Sequence, residues 1–185
     1  LVGRERVTGT VMATAIPTKG TTGAFETDKI LEMMDEVGDG STTVIVKTDQ
    51  ENSVGYVMKR LVEAREEGRT IIEESPVGSS GSNGMVERCG QGVEGQMRVM
   101  LLALEERIGK VLSPSEPVVQ FIPEYAAYLM NRLEVGKDGK TAYERVKGKK
   151  PTVLGIEFGE KVLYKVRHGN RMEKINSRWE YGIFV

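Results

Sequence analysis

The sequence has very little cysteine and histidine. It contains one residue of each, Cys89 and His168, among 185 residues. One cysteine cannot form a disulfide within the chain, which argues against a disulfide-stabilised secreted fold. The two residues also cannot supply the four ligands of a zinc site built from cysteine and histidine. We expect Cys89 to be a packed, inert thiol and His168 to lie in an exposed hairpin turn rather than to act in catalysis.

Long apolar runs and a secretory signal are lacking too. The longest apolar runs are a few residues, whereas a membrane-spanning helix needs about 20. The chain begins Leu1-Val2-Gly3, without an initiator methionine or an apolar leader. We therefore expect an intracellular protein, nuclear or cytoplasmic and not secreted, and we interpret the sequence as a piece of a longer chain.

The charge of the chain is unevenly distributed. Hydrophobic residues make up 39% and charged residues 29%, which allows a buried core. Residues 1–130 contain 13 Lys/Arg and 20 Asp/Glu, whereas residues 131–185 contain 13 Lys/Arg and 7 Asp/Glu. A basic C-terminal third predicts a polyanionic partner at that end, although an ordinary solvated surface can have the same composition.

Apolar spacing predicts alternating strands and helices in the first part of the chain. The predicted elements are a strand at 7–17, a helix at 25–37, a strand at 43–48, a helix at 50–66 and a short strand at 70–73. This order predicts an α/β fold with a largely parallel sheet. The continuous apolar run at 43–48 predicts a strand buried on both faces, which we expect to lie beside 7–17.

Helices dominate the next part of the chain. A glycine- and serine-rich loop at 75–84 lacks the Lys-Ser/Thr of a phosphate-binding loop. Helices are predicted at 83–109 and at 118–133, the second kinked at Pro123. Three glycines of the first helix are expected to allow close approach of another element: Gly90, Gly92 and Gly95. Two tyrosines of the second are expected to pack rather than to stack on bases: Tyr125 and Tyr128. A basic linker and a small β tail complete the chain.

Two carboxylates stand where α/β folds bind ligands. Asp49 directly follows the predicted strand 43–48, and Glu87 lies in the first turn of the long helix. Ligands of open α/β sheets bind beyond the carboxyl ends of strands, and the positive end of a helix favours a carboxylate. Because hard divalent cations take oxygen ligands, Asp49 and Glu87 are candidates to share one Mg²⁺ or a metal pair. In a chain with 27 acidic residues, this pairing is not specific by itself.

The motifs around these carboxylates resemble the second half of the integrase catalytic core of retroviruses and LTR retrotransposons. Thr48-Asp49-Gln50-Glu51 resembles the strand end that carries the second Asp of that family's acidic triad. The segment 82–88, Ser-Asn-Gly-Met-Val-Glu-Arg, resembles the Asn-Gly-x-x-Glu-Arg motif that carries the Glu. Further segments resemble the downstream part of the integrase in retrotransposon Pol polyproteins: 125–132, 140–151, 158–160 and 179–185.

The resemblance implies a fold and an activity. It implies a ribonuclease H-like mixed sheet flanked by helices over residues 1–150 and a small basic β module over residues 151–185. The implied function is DNA integration by metal-dependent polynucleotidyl transfer with endonuclease activity, in which water trims the element's ends and a DNA 3′-hydroxyl attacks the target. Asp49 and Glu87 would be catalytic ligands of Mg²⁺ or Mn²⁺, and the partners would be DNA and, in the full-length protein, further copies of the chain. The implied nucleic-acid-binding residues are Asn83, Gly84, Arg88, Arg98, Arg145, Lys147, Lys149 and Lys150.

The resemblance is incomplete at the amino end. The family's first Asp lies on a first, central strand upstream of 7–17, and no Asp of this sequence precedes Asp28. Two carboxylates alone should hold Mg²⁺ poorly, so we expect a fragment that lacks the first strand and is inactive by itself. The alternative is a non-catalytic nucleic-acid-binding or interaction domain derived from such an element.

Overall fold

The computed structural model describes residues 1–16, 24–49, 51–65, 67–75, 84–165 and 178–185. The strands are β1 (Val2–Arg4), β2 (Val11–Ala13), β3 (Val44–Thr48), β4 (Thr70–Glu74), β5 (Lys161–Lys165) and β6 (Trp179–Ile183). The helices are α1 (Ala24–Val37), α2 (Asn52–Ala64), α3 (Gly84–Ile108), α4 (Pro117–Gln120), α5 (Ile122–Leu133) and α6 (Ala142–Lys147). The α/β class and the positions of the helices agree with the predictions from the sequence.

Strands β1 and β2 form a short antiparallel hairpin, in which Gly3 pairs with Met12. The prediction of one strand over 7–17 is therefore wrong, because residues 7–10 belong to the turn. The Glu5 carboxylate accepts the backbone N–H groups of Val7 and Thr8, the latter at 2.6 Å. Gly9 follows with a φ of 79°, a conformation that glycine adopts without steric cost. These local bonds reverse the chain where its β-branched composition predicted an extended strand.

Strands β3 and β4 are parallel and are joined by α2, which makes a strand–helix–strand unit. Helices α1 and α2 cover one face of this pair, and Leu61 of α2 is fully buried against Val46 and Ile72. On the other face Ile45 is 65% exposed. The prediction that this strand is buried on both faces is wrong, because helices of the described chain cover only one side.

The two pairs of strands form separate two-stranded sheets within the described residues. The expected pairing of 7–17 with 43–48 is therefore wrong, and the described strands do not form one ribonuclease H-like mixed sheet. The outer edge of β2 is not available to β3 at Val11. There the side chain of Asn131 bonds to both the N–H and the C=O of Val11, so this edge has no hydrogen-bonding groups left for another strand at that residue.

Helices α3 and α5 pack on the β1–β2 hairpin and make a second core, in which Cys89, Val93 and Ile122 are almost completely buried. As predicted, Cys89 is a packed thiol, and burial raises its pKa. The glycine expectation holds only for Gly92, where an added Cβ would lie 3.3 Å from Met130. It is wrong for two others, which face open space: Gly90 and Gly95.

One carboxylate joins the two cores. Glu124 on α5 accepts a hydrogen bond from the Thr14 hydroxyl at 2.8 Å, and it lies 3.6 Å from the ammonium of Lys29 on α1. Helix α5 follows α4 after a break at Phe121, two residues before Pro123, where a kink was predicted. Among the described residues, no helix is both long and apolar enough to cross a membrane.

The carboxyl-terminal part carries the predicted β tail. Strands β5 and β6 form an antiparallel pair, and the chain leading into it packs on the α3–α5 core. Phe158 is buried there, and the Phe184 ring meets Tyr125 edge-on with centroids 5.7 Å apart. His168, for which an exposed hairpin turn was predicted, lies outside the described residues.

Candidate metal-binding and nucleic-acid-binding site

Asp49 lies at the carboxyl edge of the β3–β4 pair. It follows Thr48, whose carbonyl accepts the N–H of Ser75 at 3.0 Å. Because β3 and β4 are parallel, residues that follow both strands share this edge. Glu74, the last residue of β4, pairs with Thr48 and brings another carboxylate to the same edge. The side chain of Asp49 is exposed, as a metal ligand that must reach a substrate needs to be.

A buried arginine holds β3 in place at the opposite end. The Arg65 guanidinium donates to the Thr42 carbonyl at 2.7 Å, to the Asp39 carbonyl at 2.8 Å and to the Thr70 hydroxyl at 2.8 Å. These bonds fasten the loop before β3 to the start of β4, and so they fix the strand that carries Asp49. Sequence reasoning missed Arg65, because it stands among surface charges in Glu63-Ala64-Arg65.

Glu87 lies in the first turn of α3, where the positive end of the helix favours a carboxylate. The helix packs against β1 and α5 through buried residues that include Cys89 and Val93. The side chain of Glu87 itself is exposed. Asn83 and the rest of the segment that joins β4 to α3 lie outside the described residues, and the proximity of Asp49 to Glu87 stays a prediction.

The chemistry of the two carboxylates fits a hard divalent cation, since Mg²⁺ and Mn²⁺ take oxygen ligands. Two carboxylates are too few ligands for a complete metal centre. Over the described ranges, no group of three or more His, Cys, Asp or Glu side chains is placed to hold a metal ion. Asp49 and Glu87 therefore qualify only as part of a ligand set.

Two predicted cations of α3 have partners within the helix. The Arg88 guanidinium donates to the carbonyl of Gly84 at 3.0 Å, and Arg98 forms an ion pair with Glu94 at 2.9 Å. Both arginine side chains are exposed, and exposed ion pairs contribute at most about 1 kcal/mol. Either guanidinium can therefore exchange its present partner for a phosphate at little cost.

Arg145 has a structural role. Its guanidinium donates to Asp138 and to the carbonyl of Lys140, and also to the Thr8 carbonyl at 2.7 Å. These bonds hold the β1–β2 turn against α6. Hydrogen bonding by Arg145 holds the pKa of Asp138 well below its usual range, and Asp138 raises the pKa of Arg145. A direct contact of Arg145 with nucleic acid stays a prediction.

Three exposed lysines follow at the end of α6: Lys147, Lys149 and Lys150. The helix begins with a capping box, in which Thr141 and Glu144 each accept the other's backbone N–H. It ends at Gly148, whose φ of 67° reverses the chain. The doubly capped helix carries Lys147, whose ammonium also donates to the Glu36 carbonyl at 3.4 Å. Lys149 and Lys150 follow the reversal and are exposed, as phosphate-binding side chains need to be.

The solved structures similar to this chain include the following two. One is the cryo-EM structure of the simian T-cell lymphotropic virus intasome in complex with PP2A regulatory subunit B56 gamma, with 18% identity and a TM-score of 0.54. The similar region covers 97% of this chain and 59% of that one. The other is the catalytic core domain of BIV integrase, with 18% identity, a TM-score of 0.52, and 78% of this chain and 82% of that one covered. No protein-family model matches the sequence, and no curated protein is significantly similar to it.

The chain has an integrase-core-like fold. At 18% identity the similarity concerns the fold, and chemistry has to be argued from the site.

The core also contains a stack of two aromatic rings and a guanidinium, of which the sequence predicted only the packing of the tyrosines. The Tyr125 and Tyr128 rings stack with centroids 5.4 Å apart, and the Arg132 guanidinium lies 3.7 Å from the centroid of Tyr128. The predicted packing of both tyrosines is confirmed. The four-residue spacing of Tyr128 and Arg132 on one helix is the sequence pattern that indicates the contact between that ring and the guanidinium.

Proposed function

We propose that this chain acts in DNA integration, as part of a polynucleotidyl transferase of the retrotransposon type. The observation that carries the proposal is the position of two carboxylates in an integrase-like fold: Asp49 follows β3, and Glu87 lies in the first turn of α3. In this proposal residues 1–150 are the catalytic core and residues 151–185 are a basic β module. An intracellular location and assembly with further copies belong to the same proposal.

Asp49 and Glu87 would hold Mg²⁺ or Mn²⁺ together with further ligands. When bound, such a cation activates a hydroxyl and stabilises the leaving oxygen in phosphoryl transfer. The chain's own contribution is to hold one carboxylate on a strand fixed by Arg65 and the other on a long, packed helix. A ribonuclease H-like mixed sheet would place a further strand, with a further Asp, between β1 and β3. Without such a third carboxylate we expect no strand transfer.

Lys147, Lys149 and Lys150 would contact the phosphates of duplex DNA, with Arg88 and Arg98 nearer the carboxylates. Contacts of this kind position the duplex without reading its sequence. Arg145 then acts as a positioning residue, because its bonds to Asp138 and Thr8 hold the helix that presents the lysines. Asn83 and Gly84 would let the loop before α3 approach the DNA.

The proposal is tested by the effect of a divalent cation on DNA affinity. A cation held by both carboxylates would neutralise their negative charge, whereas the bare carboxylates repel DNA phosphates. At constant ionic strength, replacing part of the KCl with MgCl₂ or MnCl₂ should raise the affinity of the chain for a fluorescein-labelled duplex, measured by anisotropy. The double substitution Asp49→Asn with Glu87→Gln should remove this gain.

A matched control neutralises two carboxylates elsewhere, Asp28 and Glu63, with the same chemistry and the same change of net charge. This control should keep the metal-dependent gain. An equal gain in the chain, the site variant and the control would contradict the metal role of Asp49 and Glu87. It would favour the second candidate, a non-catalytic nucleic-acid-binding domain, which the lack of a three-ligand group among the described residues supports.

A further inference from the structure

We propose that one face of the β5–β6 hairpin is a stacking platform for single-stranded nucleic acid. In an antiparallel pair, residues opposite each other lie on the same face. The pairs Lys161–Ile183, Leu163–Tyr181 and Lys165–Trp179 therefore share one face, which we call the platform face. This function is separate from metal-dependent strand transfer and needs neither Asp49 nor Glu87.

The platform face is open to solvent. Tyr181 is 68% exposed and Trp179 is 54% exposed, although aromatic rings are usually among the more buried side chains. Leu163 and Ile183 beside them are exposed as well. Four exposed apolar or aromatic side chains on one small sheet make a contiguous surface of the kind that binds a ligand.

On the opposite face of the hairpin, two side chains contact each other. The ring of Tyr164 lies over Gly182, where an added Cβ would be 3.1 Å from the ring. Its hydroxyl donates to the Glu180 carboxylate at 3.2 Å. Among the paired strand residues, Glu180 thus lies on this opposite face, whereas the platform face has two lysines and no acidic residue.

Charge selects an anionic ligand for this surface. The Lys161 ammonium lies 4.0 Å from the centroid of the Tyr181 ring, so cation and ring form one unit. A second copy of the chain seated face to face would bury lysines against lysines, which is costly without a counter-charge. A nucleic acid supplies phosphates for the lysines and bases for the rings, and stacking of a base on an aromatic ring contributes about 1–3 kcal/mol.

Spacing selects a single strand over a duplex. Trp179 and Tyr181 are two residues apart on one strand, so their Cα atoms are separated by about 7 Å. Successive bases of a duplex strand are stacked about 3.4 Å apart and cannot each cover a separate ring. An unstacked strand can place one base on Trp179 and another on Tyr181, with the phosphates between Lys161 and Lys165.

The chain contains a single tryptophan, Trp179, so its fluorescence reports directly on the platform. Titration with oligo(dT) of 12 nucleotides, in EDTA so that no divalent cation contributes, should quench the emission to saturation. Tyr181→Ala should weaken the affinity about tenfold while leaving the reporter in place. Tyr181→Phe should restore it to within about twofold, since stacking needs the ring and not the hydroxyl.

A control separates the platform from a general effect of losing an exposed tyrosine. Tyr56→Ala, which removes such a tyrosine from α2, should leave oligo(dT) affinity unchanged. Unchanged tryptophan emission on adding oligo(dT) would overturn the platform. It would also be overturned if sedimentation showed a dimer that Tyr181→Ala dissociates, since the face would then join copies of the chain.

Discussion

Asn131 on α5 takes the place of a neighbouring strand beside Val11. Its Oδ1 accepts the Val11 N–H at 2.7 Å and its Nδ2 donates to the Val11 carbonyl at 2.8 Å. One side-chain amide thus satisfies both backbone groups of Val11 on the outer edge of β2, where the polar groups of a buried residue would otherwise lack partners. The contact anchors the hairpin to the helix and closes one of its edges.

Replacing this amide should destabilise the chain. Asn131→Ala leaves the buried N–H and C=O of Val11 without partners, so we expect the free energy of unfolding to fall by about 2–3 kcal/mol. Urea denaturation followed by circular dichroism measures the change. Asn52→Ala, at an exposed position at the start of α2, is the matched control and should shift stability by less than about 0.5 kcal/mol. Equal effects of the two substitutions would contradict the edge-closing role of Asn131.

Two glycines should respond in opposite ways to the same substitution. Gly95 lies within α3 and an added Cβ there meets open space, so Gly95→Ala should stabilise the chain by about 1 kcal/mol through helix propensity. Gly68 has a φ of 82°, and an added Cβ would collide with the Thr42 carbonyl. Gly68→Ala should therefore be destabilising, by about 1 kcal/mol or more. Thermal unfolding of both variants tests this, and a shift of the same sign in both would refute it.

The contribution of Asp138 to stability should depend on pH. Its pKa in the folded chain is held below the ordinary value of 3.8 by the hydrogen bond with Arg145. A depressed folded-state pKa gives stability that is present above the unfolded-state pKa and is lost as pH falls through the folded-state value. The difference in unfolding free energy between the chain and Asp138→Asn should thus be constant above about pH 5 and shrink below about pH 4.

Arg145 should be the cause of that pH dependence. In a chain that carries Arg145→Gln, the change in unfolding free energy caused by Asp138→Asn should vary much less between pH 5 and pH 3. The guanidinium that depresses the pKa of Asp138 is absent from that chain. Chemical denaturation at a series of pH values measures both differences. A difference that stays constant from pH 7 to pH 2.5 with Arg145 present would show that this pair does not set the pKa.

The lysines after α6 should carry part of the affinity for duplex DNA. Each phosphate contact contributes about 0.9 to the slope of log affinity against log salt concentration. Substituting Lys147, Lys149 and Lys150 by Gln should reduce the magnitude of that slope by about 2–3. The control substitutes three lysines elsewhere, Lys47, Lys59 and Lys110. Anisotropy titrations at several salt concentrations compare the two triple variants, and equal slopes would show that affinity follows net charge alone.

Helix positions could be predicted because they depend on local sequence. Apolar residues spaced like Val57, Met58 and Leu61 lie on one face of a helix, and all three are buried in the structure. The strand at 43–48 shows where local pattern fails. An apolar run indicates that both faces of a strand are suited to burial. Whether each face is buried depends on helices elsewhere in the chain, and Ile45 remains exposed.

The short strands and the polar contacts could not be predicted for a related reason. Glu5 ends a stretch that has strand composition by bonding to two backbone N–H groups of the following turn. Asn131 and Arg65 act on segments 120 and 23 residues away, at Val11 and Thr42. No spacing rule connects residues so far apart in sequence, so the closing of β2 and the fixing of β3 required the structure.

The central claim is that Asp49 and Glu87 share one divalent cation. Mn²⁺ is paramagnetic and broadens the NMR signals of nearby amides even when it binds weakly, so titration of the ¹⁵N-labelled chain with MnCl₂ tests the claim most directly. We predict that amides at residues 49 and 75 and those in the first turn of α3 broaden together, with one dependence on Mn²⁺ concentration. Glu87→Gln should reduce the broadening in both groups. If the groups broadened at different concentrations, and Glu87→Gln left residues 49 and 75 unaffected, the two carboxylates would belong to different sites.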